Sequence, residues 1–399
     1  MIPGPGIART PLPEGFLASG LNSGVRRYRP DVGLLVSEVP CLGVGVFTRN
    51  TFKAAPVRYC ESLLPSNRIR AIITNSGQAN AATGERGERT NIQMVQAVAD
   101  ALGCLPSQVL AASTGPIGVQ LEIEKIIAVV PELVARQGKS AESFALAILT
   151  TDLVPKTVST VLELSHGSIR ITGICKGSGM IHPHMATMLG YIVTDAGIES
   201  AVAEGMLRSV TDRTFNMISV DGESSTNDCV FLLANGASGV QVENAEDKAK
   251  FENALFHVSA VLAQSIARDG EGATKLLEVR VTGAPDIRFA RTAARSLVVS
   301  PLVKTAMHGG DPNWGRIVAR LGGEELPREI LELLKLKIQD VAIFDSGAPL
   351  DIDLERLRLL LREDTIRIAI DCKSGEHEAT AWGCDLSKKY VEINAEYLT

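Results

Sequence analysis

The chain has 399 residues, room for one large body or two domains, and its 45% hydrophobic content is that of a folded protein with a sizeable core. Aromatic residues make up only 4% and the net charge is −6 with both signs spread along the chain, which argues against a nucleic-acid or anionic-membrane partner. No apolar run reaches the roughly 18 residues of a membrane span, and Met1–Gly6 lacks the basic and apolar regions of a secretory signal, so the expected compartment is the cytoplasm.

The pattern alternates between periods of two and 3.6. Residues 32–36 and 43–47 read as two short strands, and Arg70–Thr74 as a third that ends in a turn-rich loop, Asn75–Asn80. Ile92, Val95, Ala99 and Leu102 share one face of a helix. Val109–Ala112 is strand-like and runs into Ser113-Thr114-Gly115-Pro116. Helices follow at Ile123–Val130 and Phe144–Leu149. Val158–Leu164 and Ile169–Ile174 form a hairpin around Ser165–Ser168 that delivers the chain into residues 176–195. Beyond these come a strand at Tyr191–Thr194, a helix over 199–213, a strand at Asp228–Leu233, a long helix over 245–267, a strand at Val279–Thr282 and helices through Ala319. The last stretch reads as a strand over 337–344, a helix over 352–361, and strands at 365–371, 378–382 and Tyr390–Ile393. This alternation predicts an α/β fold, mixed or layered as α+β.

Seven cysteines without a CxxC pair read as free thiols in a reducing compartment. His182 and His184 form an HxH, but no neighbouring ligand completes a set, so no metal is expected. Gly138-Lys139-Ser140 resembles the end of a phosphate-binding loop, but Leu133 stands where that loop requires glycine.

The most informative stretch is 176–195, Lys-Gly-Ser-Gly-Met-Ile-His-Pro-His-Met-Ala-Thr-Met-Leu-Gly-Tyr-Ile-Val-Thr-Asp. Ala186-Thr187 in it is either an ordinary pair in a tight loop or a self-cleaving junction. Cleavage would expose Thr187 as an N-terminal nucleophile with its own α-amine as base. Thr114 and Gly115, between a strand and a helix, are either a plain turn or fixed donors for an oxyanion.

From Lys176 to Leu189 this stretch resembles, without a break, the processing site of the ornithine acetyltransferase (glutamate N-acetyltransferase) family of arginine biosynthesis. The resemblance extends along the chain. It includes Lys53-Ala54-Ala55-Pro56-Val57, Asn75-Ser76-Gly77, Thr150-Thr151-Asp152, Ser225-Thr226-Asn227-Asp228, Asp269–Lys275, Asp311–Ile317 and Ile393–Tyr397. Gln78, Ala82 and His184 depart from the family pattern at positions with no proposed catalytic role.

The resemblance implies a layered α+β sandwich of the self-processing ornithine acetyltransferase and D-aminopeptidase type. It implies a cut at Ala186-Thr187 that gives fragments 1–186 and 187–399, co-folded and assembled as an α2β2 heterotetramer. Thr187 is then the nucleophile, Thr114 and Gly115 the oxyanion hole, and Thr150 (or Thr151), Lys176, Thr187, Glu271, Asn394 and Thr399 the substrate contacts. The implied reaction moves acetyl from N-acetylornithine to glutamate, without a cofactor, and leaves acetyl-CoA open as a second donor. The common acetyl-CoA-binding turn Arg/Gln-x-x-Gly-x-Gly/Ala is absent from the sequence. Two other readings stand beside it: a self-processing aminopeptidase, in which water replaces glutamate, and a non-enzymatic binding protein.

Overall fold

The computed structural model describes residues 9–182, 188–324 and 326–396. Through the first half, its elements are β1 (Phe16–Leu21), β2 (Val32–Phe47), α1 (Ala55–Leu63), β3 (Ser66–Ser76), α2 (Gly84–Leu102), β4 (Val109–Thr114), α3 (Ile123–Ala135), α4 (Glu142–Ala147), β5 (Lys156–Leu164), β6 (Gly167–Lys176) and β7 (Leu189–Thr194). Then come α5 (Ser200–Arg213), β8 (Ile218–Ser219), β9 (Cys229–Ala234), α6 (Ala245–Arg268), β10 (Leu276–Ala284), α7 (Ile287–Val299), α8 (Pro301–Gly309), α9 (Trp314–Gly322) and α10 (Arg328–Leu331). The chain closes with β11 (Lys335–Ile338), β12 (Val341–Asp345), β13 (Ala348–Pro349), α11 (Leu354–Leu360), β14 (Thr365–Asp371), β15 (His377–Cys384) and α12 (Lys388–Glu396). Among the described residues, the strands form an eight-stranded sheet, β4-β3-β2-β9-β7-β6-β5 with β1 on β2, and a seven-stranded sheet, β13-β12-β11-β14-β10-β15-β8.

The long strand β2 determines the shape of the first sheet. Its first half pairs with β1 on one edge and β3 on the other, and its second half pairs with β9 along the edge that β1 leaves free. Between them the register slips at Val36/Cys41, where Glu38, Val39 and Pro40 are exposed. A proline inside a strand is tolerated at such a break, where no ladder bond is lost. The sheet bends there and doubles back on itself. Leu35, Ile72 and Leu110 of one half share a core with Tyr191, Phe231 and Leu233 of the other. Across that core the Thr74 and Tyr191 hydroxyls lie 2.8 Å apart, which satisfies the buried phenol.

Because side chains alternate along a strand, the opposite faces need covers of their own. Helices α2 and α3 cover Leu34, Ala71, Ile73 and Val109, while α5 and α6 cover Ile171, Ile192, Val230 and Leu232. The result is a helix–sheet–sheet–helix stack. The second sheet carries α7 on β10 and β15, and α6 touches both sheets, so one apolar cluster runs through the two. Each buried Leu, Ile or Phe in it contributes about 1.5–3 kcal/mol. Helix boundaries follow local chemistry. Ser300 caps α8 ahead of Pro301 at its first position, and α2 stops at Gly103, which is left-handed at φ 64°.

The layered α/β expectation agrees with this architecture. Four local expectations are corrected. Residues 32–36 and 43–47 belong to one bent strand, not two. Ile92 is exposed; Met94, Val95, Val98 and Ala99 form the buried face of α2. Residues 337–344 are a hairpin, turned at Gln339 and Asp340 with φ of 50° and 64°. Tyr390–Ile393 is helical: Tyr390 and Ile393, three residues apart, turn the same face toward the body, and among the described residues no strand pairs with them.

Candidate active site

The doubling of the first sheet brings together strand ends that lie far apart in sequence. Thr114 closes β4, Lys176 closes β6, and the loop before β9 carries Ser225–Asp228. Between them opens a cavity of about 400 Å³, lined by Thr114, Gly115, Thr150, Thr151, Lys176, Gly179, Thr226, Asn227, Glu271 and Asn394, among others. Six residues expected from the sequence therefore converge on one space: Thr114, Gly115, Thr150, Lys176, Glu271 and Asn394. Ala186, Thr187 and Thr399 lie outside the described residues. The described residues stop at His182, six residues after Lys176 at the cavity wall, and resume at Met188, whose N–H is bonded to Asp228 Oδ1 at 3.0 Å.

The Thr114–Gly115 turn is held from behind. Gly115 has φ 135°, and a Cβ there would stand 2.5 Å from Gln78 N and Gly77 C. Only glycine fits that backbone. The Asn227 side-chain amide donates to Ala79 O at 2.5 Å and to Ser113 O at 2.8 Å, and Asn227 Oδ1 accepts from the Thr226 hydroxyl at 2.6 Å. Ser113 Oγ donates to Asn75 Oδ1 at 2.6 Å. Rigid donors facing a cavity are what stabilisation of a developing oxyanion requires.

On the opposite wall Lys176 is buried at 2% exposure, its Nζ donating to Thr150 Oγ1 at 2.7 Å and lying 3.7 Å from Asp152 Oδ2. Burial lowers its pKa below the ordinary lysine value, against the pull of Asp152. Burial alone would raise Asp152, but the Lys176 and Lys156 ammoniums outweigh it and hold this carboxyl well below the usual carboxylate range. Lys156 Nζ bridges Asp152 Oδ1 at 2.8 Å and Asp269 Oδ2 at 2.5 Å. Asp269 opens the loop that carries Glu271, so one buried lysine ties the Thr150 loop to the Glu271 loop.

Glu271 N–H donates to Ser178 O at 2.9 Å, and Glu271 Oε2 accepts from Asn394 Nδ2 at 2.9 Å. Helix α12 is thus docked over the cavity, as the sequence requires of a functional tail. Thr150 contacts Lys176, whereas Thr151 pairs with Ser178 Oγ at 2.6 Å, and both line the cavity. Sequence reasoning assigned no role to Asn227, Asp152, Asp228, Lys156 or Asp269. These positions differ in legibility: Asn227, Asp228, Asp152 and Asp269 sit inside quoted motifs, while Lys156 opens a strand with no local signal. Among the described residues, no helix is long and apolar enough to cross a membrane.

The model of the ArgJ family matches residues 17–399. The chain belongs to the ArgJ family. It is 44% identical over 396 residues to the arginine biosynthesis bifunctional protein ArgJ of Thermotoga neapolitana, covering 97% of this chain and 100% of the relative. It is 44% identical over 387 residues to the protein of the same name from Lactococcus lactis, covering 96% of this chain and 97% of the relative. A crystal structure of the arginine biosynthesis bifunctional protein ArgJ from Bacillus halodurans aligns at TM-score 0.50 and 40% identity, covering 53% of this chain and 100% of that one. The first family expectation, membership, is met, and the shared fold follows from it.

Proposed function

We propose that this chain is an acetyltransferase of arginine biosynthesis that cuts itself between Ala186 and Thr187 and then carries acetyl from N2-acetyl-L-ornithine to L-glutamate on Thr187. The observation that carries this reading is the convergence of Thr114, Gly115, Thr150, Lys176, Glu271 and Asn394 on one cavity, whose lining also holds Gly179 and Met180, a few residues before the junction in sequence.

In the precursor, Thr187 Oγ attacks the Ala186 carbonyl. The acyl group shifts from nitrogen to oxygen, and water cleaves the ester. The released α-amine, with a reference pKa of about 7.7–8.0, serves as general base near neutral pH. In the first half-reaction Thr187 Oγ takes acetyl and ornithine leaves; in the second, the glutamate amine takes acetyl from Thr187. Thr114 and Gly115 face the oxyanion in both halves. Lys176 meets the α-carboxylate common to donor and acceptor, and Glu271 meets the ornithine side-chain ammonium. Thr399 completes the substrate contacts.

The cut gives fragments 1–186 and 187–399. They remain one body because β7 and β9 of the second fragment pair with β6 and β2 of the first. The proposed assembly is an α2β2 heterotetramer in the cytoplasm, where all seven cysteines, free in the structure, stay reduced. The relatives' name, bifunctional protein, supports acetyl-CoA as a second acetyl donor.

Intact mass spectrometry under denaturing conditions, with and without N-acetylornithine, tests the reading. The expected result is two fragments, with one acetyl added to 187–399 only. A single uncut chain that never gains acetyl would overturn it. Thr187→Ala should be uncut and inactive, Thr187→Ser should retain part of both reactions, and initial rates should follow ping-pong kinetics.

A further inference from the structure

The Ser225–Asp228 loop contributes Thr226 and Asn227 to the cavity, but the mechanism above leaves Asp228 without a task. Its side chain is fully buried. Oδ1 accepts from Met188 N at 3.0 Å, while Oδ2, also buried, has no hydrogen-bond partner among the described residues. The neighbouring Ser225 hydroxyl accepts from Asn227 N at 3.0 Å and does not reach hydrogen-bonding geometry with Oδ2. An ionised carboxylate in this position would leave a buried charge with one neutral partner, which costs several kcal/mol. Burial pushes the Asp228 carboxyl well above the usual carboxylate range and so favours its protonated form, outweighing the lowering effects of Met188 N–H, the nearby Ser225 hydroxyl and the Lys176 ammonium. Lys176 on β6 is the charged group that acts on it.

The position matters because Met188 N is covalently bonded to the carbonyl carbon of Thr187. Asp228 therefore holds the peptide group on the C-terminal side of the proposed nucleophile, with a second oxygen to spare. Self-cleavage has a proton problem at this place. The C–O bond from Thr187 Oγ to the Ala186 carbonyl carbon forms, the C–N bond from that carbon to Thr187 N breaks, and the nitrogen leaves as an amine only if it gains a proton. The hydroxyl loses one. The step is an isomerisation and needs no outside reactant, but it needs a carrier between oxygen and nitrogen.

We propose that the Asp228 carboxyl is that carrier in the self-cleavage at Ala186-Thr187, giving its proton to the departing Thr187 nitrogen and recovering one from Thr187 Oγ. The inference rests on the self-cleaving reading above and gives that reading an acid. A group that returns to its neutral form also adds no carboxylate beside the new α-amine, whose pKa then stays low enough for a base in acetyl transfer.

The experiment follows cleavage in time after cell-free synthesis of the full chain, by intact mass, for wild type, Asp228→Asn and Asp228→Glu. The same substitutions in a Thr187→Ala background report the Tm of the uncut fold. Asparagine keeps the acceptor for Met188 N–H and removes the transferable proton; glutamate keeps a carboxyl. The expected result is cleavage slowed about 100-fold or more in Asp228→Asn, in line with general acid–base contributions, with faster cleavage in Asp228→Glu than in Asp228→Asn. Cleavage of Asp228→Asn at the wild-type rate overturns the proposal and leaves Asp228 as an anchor for Met188. Cleavage of Asp228→Glu no faster than Asp228→Asn overturns it as well. A wild-type chain that is never cut removes the self-cleaving reading itself, an outcome distinct from either.

Discussion

The side-chain amide of Asn227 donates to the main-chain carbonyl of Ser113 at 2.8 Å, linking the loop before β9 to the last turn of β4 across 114 residues of sequence. Its other bond, to Ala79 O, fixes the neighbouring loop. Asn227→Ala leaves two buried carbonyls without donors, at about 1–3 kcal/mol each. The Thr114–Gly115 turn then loses its support without losing any atom of its own. The expected outcome is a kcat for acetyl transfer lower by about 10- to 100-fold with KM for glutamate little changed, since transition-state contacts are lost and ground-state contacts are kept. Steady-state kinetics that show only a KM effect would assign Asn227 to substrate binding instead.

Gly115→Ala probes the same turn from the front. The added methyl meets Gln78 N and Gly77 C at 2.5 Å, on a backbone at φ 135°. That conformation costs an alanine on the order of 1–3 kcal/mol before any clash is counted. The turn should move rather than the methyl fit, and Tm and kcat should fall together. A variant with wild-type kcat would show that Gly115 N–H is not an oxyanion donor.

The sequence made the strands and helices of the sandwich visible wherever burial follows a clean period, as in the β5–β6 hairpin and α6. It failed where tertiary contacts decide. Val36–Cys41 looks like a break between strands because Glu38 and Pro40 interrupt the apolar run, yet the strand continues through a bulge that folds the sheet over. Tyr390–Ile393 alternates like a strand but is drawn into a helix by packing of Tyr390 and Ile393. At the site, motif residues with their own chemistry were legible. Lys156 was not, because a lysine opening an amphipathic strand normally faces water, and only the folded chain places two carboxylates around it.

Lys156 and its two carboxylates offer a test by pH and by deletion. Lys156→Met leaves Asp152 and Asp269 buried without their shared cation. Breaking a buried pair in this way costs about 3–5 kcal/mol. Because Asp152 is held below its ordinary value of 3.8, its contribution to stability is present above that pH and is lost as pH falls through the depressed folded value. Wild type should therefore show a steep decline of Tm with acidification below about pH 4, and Asp152→Asn should flatten that slope. Equal slopes in the two proteins would mean that Asp152 is not the group whose protonation is linked to unfolding.

Glu271 and Gly179 should share one phenotype, although only one of them is charged. A Cβ at Gly179 would collide with the Glu271 carboxylate, which lies directly over that backbone and accepts from Asn394 Nδ2 at 2.9 Å. Gly179→Ala must displace the carboxylate, while Glu271→Gln removes its charge in place. If Glu271 meets the ornithine ammonium, both changes weaken a charged hydrogen bond worth about 1.5–3 kcal/mol, or roughly 10- to 150-fold in affinity. The loss should appear in KM for N-acetylornithine and much less in KM for glutamate, which has no side-chain ammonium to place. The two substrates titrated separately against each variant give the answer. Equal losses for both would move Glu271 from selecting the donor to shaping the cavity, and a loss confined to glutamate would reverse the assigned orientation of the substrate between Lys176 and Glu271.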